Sequence, residues 1–243
     1  MKIIDIEARR STCRNLVHKY YSDVPTREEV LDKAIEKYLH PEARLLDAGC
    51  GGTIPLIRKY SGRSALAVGV DLCALPAATE NHLTLARANL ESLPFPANSF
   101  DLVVSHSVFE HLERPERVFS EIRRVLRPEG RLIFTTPNKF YYSCIIANLL
   151  PFCLKHFYMK NVFGEDSYDH FPVFYRVNTV KAFRSLAKTN GFIITKIDPI
   201  RHYPFYLMFS PTLFRLGVIY DWLITRLRLD FLQSNWLVIL ERA

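Results

Sequence analysis

Three glycines, Gly49, Gly51 and Gly52, fall within four positions directly after a short apolar segment, "LLDA", that carries the acid Asp47. Glycine tolerates positive φ and leaves the main chain open to a ligand, so this turn is suited to a close backbone approach. A second acid, Asp71, ends the apolar run "ALAVGVD" 24 residues after Asp47. That offset is near the ~20 residues at which an acid takes ribose hydroxyls in open α/β sheets. Glycine turn and paired acids together describe a nucleoside pocket. A dinucleotide is disfavoured, because the third glycine of its fingerprint would fall at Ile54. No GK[ST] loop for a nucleoside triphosphate is present either.

The elements that must position these residues follow from periodicity. "TREEVLDKAIEKYLH" predicts an amphipathic helix, with Thr26 as N-cap, Glu29 three positions on, and Val30, Leu31, Ala34, Ile35 and Leu39 on one face. "ARLLDAG" and "ALAVGVD" predict buried strands, separated by the helix "IPLIRKY" with Pro55 in its first turn. "LTLARANL" is a weaker third strand and "SFDLVVSHS" a strong fourth. "RPERVFSEIRRVLRPEG" predicts a helix stopped by Pro128 and Gly130, followed by the strand "RLIFTTPN". A helix in "VNTVKAFRSLAKTNGF", capped by Asn178 or Thr179 and ended by Gly191, precedes the last strands "FIITKID" and "NWLVILERA". Apolar strands alternating with amphipathic helices specify an α/β fold whose sheet is mostly parallel and covered on both faces.

A length of 243 residues suits one domain with insertions, and 23% charged with 49% hydrophobic residues matches ordinary globular protein. The net charge of +7 is scattered, not gathered into a basic stripe, so nucleic acid is not expected as a partner. Cys13, Cys50, Cys73, Cys144 and Cys153 show no CxxC pair or Cys/His ligand spacing. Neither a metal site nor a disulfide framework is expected, and a reducing cytoplasm fits best. No apolar run approaches the ~20 residues that span a bilayer, and the N-terminus lacks the apolar core of a secretory signal.

Several stretches, in this order, resemble the class I S-adenosylmethionine-dependent methyltransferases, and within them the methyltransferase 11-like small-molecule group. "LLDAGCGGT" resembles their first motif, "VGVD" the strand with the ribose acid, "ANLESLPFPANSFDLVVSHSVFEHL" the adenine loop and fourth strand, and "LRPEGRLIFTTPN" the turn and fifth strand. The similarity runs from about residue 40 to about 140, with a weaker echo in "DHFPVFYRVNTVKAFRSLAKTNGF". It implies a Rossmann-like, doubly wound, seven-stranded sheet, mostly parallel with an antiparallel last strand, plus helical lid insertions. It implies S-adenosyl-L-methionine as cofactor and S-adenosyl-L-homocysteine as product. Asp47 would hold the methionine ammonium, Asp71 both ribose hydroxyls, and Leu72 would pack on adenine. Gly49, Cys50, Gly51 and Ser105 complete the expected cofactor contacts. Asn89 replaces the family's frequent Asp; its amide oxygen can accept from the adenine amino group, while Leu90 offers its N–H. Thr53 stands where the motif has a third glycine.

Just past the fourth strand, "SHSVFEHL" supplies His106, Glu110 and His111. An imidazole can accept a proton at neutral pH, so His111, at the family's frequent "EH" position, is the expected base, with His106 second. Tyr20, Tyr141, His170 and Tyr175 are the substrate-side candidates. The aromatic residues concentrate between 140 and 220. One domain over 1–243 is therefore expected, with an N-terminal helical segment (1–40) and hydrophobic lid insertions at 140–175 and 200–233. The expected activity is methyl transfer, at oxygen, to a small hydrophobic or aromatic acceptor of secondary, quinone or lipid metabolism. Left open are a non-catalytic cofactor-binding regulator or scaffold and a methyltransferase acting on membrane lipid or RNA. A cytoplasmic protein with peripheral membrane contact, and a homodimer, also stay open.

Overall fold

Short apolar runs bounded by turn residues become the strands of one sheet, and the amphipathic segments between them become helices. The computed structural model describes residues 3–77, 82–149 and 171–243. The strands are β1 (Arg44–Ala48), β2 (Leu66–Asp71), β3 (Leu83–Arg87), β4 (Phe100–His106), β5 (Leu126–Pro137), β6 (Phe192–Ile200) and β7 (Asn235–Arg242). Their order is β3-β2-β1-β4-β5-β7-β6, which reverses direction between β1 and β4. Pairings from β3 through β5 are parallel. β7 runs against its neighbours: near its start the Asn138 N–H donates to Ser234 O, and at its end the Ala243 N–H donates to Gly191 O. The expected fold class therefore holds.

Two compact units divide the chain by their contacts. One contains Glu28–Thr136, Val173–Asp198 and Trp236–Ala243; the other contains the N-terminal segment to Arg27, the segment after Pro137 and Pro199–Asn235. The first carries nearly all of the sheet. Among the described residues, four helices belong to it: α2 (Arg27–Glu36), which begins at its boundary, α3 (Pro55–Tyr60), α4 (Pro115–Val125) and α6 (Val180–Thr189). α4 buries Val118, Phe119, Ile122 and Val125, the i, i+1, i+4, i+7 face that its sequence predicts. Against it Phe109, Phe119, Phe134, Phe183 and Trp236 form one aromatic cluster, with Phe109 and Phe134 ring centroids 4.5 Å apart. α6 is capped by the Thr179 hydroxyl, which accepts from the Ala182 N–H at 3.2 Å, so the cap is Thr179 and not Asn178.

One element departs from its sequence reading. Pro128 and Gly130 do not stop α4, which has already ended at Val125; they lie within β5. β5 starts early because Leu126 pairs with Phe100 before a register shift between Phe100 and Leu102. The extra residues are absorbed as a bulge, where a missing proline N–H is tolerated.

The second unit holds α1 (Ile3–Tyr21), α5 (Tyr142–Leu149) and α7 (Pro211–Arg226). Cys13, Met208 and Phe214 form a small core, and Gly217 lets α7 approach Pro204, whose Cβ would lie 2.7 Å from a side chain placed there. A polar knot sits beside it. Asp221 of α7, buried, accepts from Arg201 Nη2 at 2.6 Å and from the Tyr21 hydroxyl at 3.2 Å. Burial, then the Asp221 charge, push the Tyr21 phenol well above its ordinary range, so it stays a donor. Among the described residues no helix is long and apolar enough to cross a membrane. His170, Cys153 and the middle of the first expected insertion lie outside the described residues.

Candidate cofactor and active site

Parallel strands of a doubly wound sheet send their carboxyl ends to one rim, and the reversal between β1 and β4 opens a crevice there. Register places Asp47 of β1 beside Gly69 of β2 and Val104 of β4. The chain then turns sharply. The Gly49 and Cys50 N–H groups both donate to Val70 O, at 2.8 and 3.0 Å, while Gly49 (φ +91) and Gly51 (φ +66) take left-handed conformations. Here the glycines are required. A Cβ on Gly49 would lie 2.3 Å from Val108 Cγ2, so the turn is shaped by the loop after β4 as much as by its own backbone.

Asp71 organises the same turn. Its Oδ2 accepts from the Gly51 N–H at 2.8 Å, and its Oδ1 accepts from the Cys73 N–H at 3.0 Å. Each carboxylate oxygen retains acceptor capacity for a further donor. Leu72, next in sequence, is 49% exposed, an apolar side chain left in the open beside this acid.

Asp47 sits in the same crevice under strain from its surroundings. It is almost wholly buried, and its Oδ2 has no hydrogen-bond partner among the described residues. Burial, reinforced by the neighbouring Asp71 charge and opposed by the Ile57 N–H, pushes its carboxyl up to about 8. A buried, under-satisfied acid at the crevice fits a cationic ligand group such as an ammonium. The Cys50 thiol, pushed up to about 12 by burial and then by Asp47 and Asp71, stays protonated and is no nucleophile.

Other expected residues have definite placements. Ser105 is fully buried and its hydroxyl donates to Ala48 O at 2.7 Å, tying β4 to β1 under the turn. Asn89 is exposed, and its Oδ1 accepts from the Glu91 N–H at 2.9 Å; this Asx turn carries the buried Leu90. His106 is half-buried with Nδ1 2.7 Å from Thr135 Oγ1 and Nε2 3.4 Å from Glu28 Oε1. His111 ends a short 3₁₀ turn, Phe109–His111. The carbonyl of Glu110 in that turn accepts from the Phe174 and Tyr175 N–H groups at 2.8 and 3.1 Å, bringing Tyr175 (φ +50) to the His111 corner. Tyr20 and Tyr141 belong to the second unit, where Tyr20 is exposed and Tyr141 is buried with its ring 4.4 Å from Tyr142.

Sequence reasoning missed three participants. Val108 packs on Gly49, Glu28 faces His106, and Ser107 adopts φ +56 at the end of β4. A polar residue straight after a strand's carboxyl end was the one available signal for Ser107. Val108 and Glu28 act only across the fold. Gly49→Ala is expected to lower stability by about 3 kcal/mol, from the clash with Val108 and the left-handed φ. Gly51→Ala meets open space and is expected to cost about 1 kcal/mol. Urea denaturation of the two variants reads this difference, and equal losses would contradict it.

Comparison with known proteins agrees with this geometry. The methyltransferase domain family matches residues 46–134. A probable S-adenosylmethionine-dependent methyltransferase of Mycobacterium tuberculosis is 36% identical over 102 residues, 41% of this chain and 37% of that protein. The 27-O-demethylrifamycin SV methyltransferase of Amycolatopsis mediterranei is 30% identical over 134 residues, 49% of each chain. The chain thus spans half or less of the length of these relatives. Among solved structures, an S-adenosylmethionine-dependent methyltransferase from Mesorhizobium loti shares the fold, with TM-score 0.59 and 20% identity over 87% of this chain and all of that one. Residues 46–134, which hold the glycine turn, both acids and the β4 and β5 rim, thus match the methyltransferase domain family, the methyltransferase 11-like group that the sequence resembles.

Proposed function

We propose that this chain moves the methyl group of S-adenosyl-L-methionine to the oxygen of a small, hydrophobic or aromatic acceptor. The observation that carries the reading is Asp47: a buried carboxyl with an unpartnered oxygen, beside a glycine turn whose Gly51 N–H Asp71 holds in place. When bound, the cofactor supplies an activated methyl on a sulfonium that leaves as neutral S-adenosyl-L-homocysteine. Asp47 would hold the methionine ammonium and Asp71 the ribose hydroxyls, while Leu72 would pack on the adenine, with the Asn89 amide oxygen and the Leu90 N–H at its edge. Gly49, Cys50 and Gly51 give the backbone surface, and Ser105 supports it from below. His111, with Tyr175 at the same corner, would take the proton of the acceptor hydroxyl.

The aromatic content of residues 140–220 favours a greasy acceptor, and the relative that acts on a demethylated rifamycin oxygen supports transfer to oxygen. Tyr20, Tyr141 and His170 stay proposals for acceptor contact. Calorimetry with S-adenosylmethionine, S-adenosylhomocysteine and NAD tests the cofactor; binding of NAD alone defeats the reading. A screen of hydroxylated aromatic and isoprenoid acceptors for a mass gain of about 14 Da tests the transfer. His111→Ala is expected to leave cofactor affinity unchanged and to slow turnover by about 10²- to 10⁴-fold. Normal turnover in that variant would remove His111 from the role.

A further inference from the structure

α7 has two faces. Phe214, Gly217, Asp221 and Ile224 are turned inward, yet the opposite face is apolar too. Leu216, Ile219 and Leu223 recur at i, i+3 and i+7, and Leu227 continues the row just beyond the helix at 62% exposure. Trp222, 59% exposed, flanks this row with Arg215 and Arg226 at helical spacing on its own side. Phe231 follows in the next turn, also exposed. α5 adds exposed Ile145 and Ile146, and it is joined to α7 by an edge-to-face contact of Tyr142 with Tyr220, 5.3 Å between centroids. Asp221 is the only acid in α7, and it is buried against Arg201.

We propose that this face of α7 docks on an anionic lipid surface, lying flat with Leu216, Ile219, Leu223 and Leu227 in the acyl boundary. Sixteen residues make a helix about 24 Å long, which suits the interface plane and not a crossing. Trp222 has the amphipathic ring favoured at headgroup depth, and Arg215, Arg226 and Arg228 supply the charge that anionic headgroups attract. Charge also argues against a second copy as occupant. A two-fold contact sets the patch against itself, and here it would bring Arg215, Arg226 and Arg228 to their own copies, with the exposed Asp230 beyond the helix too little to answer three cations. The inference does not depend on the acceptor or on methyl transfer, since cofactor affinity is measured separately.

The two tryptophans give a direct readout, because Trp222 is exposed and Trp236 is buried. Vesicles of phosphatidylglycerol and phosphatidylcholine in equal parts, carrying brominated acyl chains, should quench and blue-shift the Trp222 emission of the full chain at near-physiological salt. Trp222→Phe should abolish that response. Arg215→Glu with Arg226→Glu should weaken binding by at least about 20-fold, as should high salt, while S-adenosylhomocysteine affinity is retained. Ile219→Gln with Leu223→Gln should release the protein from vesicles with the charges intact. Absence of quenching in the unaltered protein overturns the proposal without recourse to any variant. So does equal binding to pure phosphatidylcholine. A concentration-dependent dimer in sedimentation that Ile219→Gln with Leu223→Gln dissolves would assign the face to a second copy instead.

Discussion

Asp71→Ala is expected to weaken binding of S-adenosylhomocysteine by at least about 100-fold. In the proposed mode two ribose hydroxyls donate to a charged acceptor, each such bond contributing about 1.5 to 3 kcal/mol. The structure adds a second cause. The same carboxylate accepts the N–H groups of Gly51 and Cys73, so its removal also frees the turn that must receive the methionine end. Asp71→Asn separates the two: it keeps the side chain's shape but offers one acceptor oxygen in place of two, and an intermediate loss is expected. Calorimetry on both variants measures this, with circular dichroism confirming the fold. Unchanged affinity in Asp71→Ala would place the nucleoside elsewhere and remove the basis of the assignment.

Asp47→Asn is expected to stabilise the ligand-free protein and to weaken cofactor binding together. The folded protein holds the Asp47 proton up to about 8, against an ordinary value of 3.8. A raised value means that the fold is favoured while the group is protonated, below 3.8, and that this advantage drains as pH rises towards about 8. The slope is roughly 1.4 kcal/mol per pH unit, on the order of 5 kcal/mol across the window. Asparagine has no charge to bury, so the gap in Tm between variant and parent should widen with pH and level off above about 8. Binding has the opposite dependence. An ammonium partner favours the carboxylate, so affinity should rise with pH up to about 8, and binding at a pH below that value should release a proton. Titrations in buffers of different ionisation enthalpy count that proton. A variant whose stability follows the parent at every pH would show that Asp47 is not held in this state.

Both acids were legible in the sequence because each lies at the carboxyl end of a short apolar run, Asp47 one residue before the end of β1 and Asp71 as the last residue of β2. Their partners were not. The bond from the Gly51 N–H to Asp71 goes with positive φ at Gly49 and Gly51, which composition permits but does not set. Tyr21 meets Asp221 across 200 residues of chain, and no local pattern encodes such a pair. The sequence places the start of β5 after Gly130, since a Pro-x-Gly run ordinarily stops regular structure; pairing of Leu126 with Phe100 overrides it. α7 was read only as part of an apolar insertion, because a helix with apolar residues on both its inner and outer faces loses the periodic contrast that marks a helix.

The knot of Asp221, Arg201 and Tyr21 bears on how this molecule can diverge. Losing Arg201 strands Asp221 away from water, a penalty of about 3 to 5 kcal/mol, while Arg201, its side chain 35% exposed, still meets solvent when Asp221 is lost; exchanging both for well-fitted apolar side chains can be neutral. Related chains should therefore carry the acid only where the guanidinium accompanies it. Inherited variation along that helix should be lopsided, with one side changing in coupled steps and the other one residue at a time.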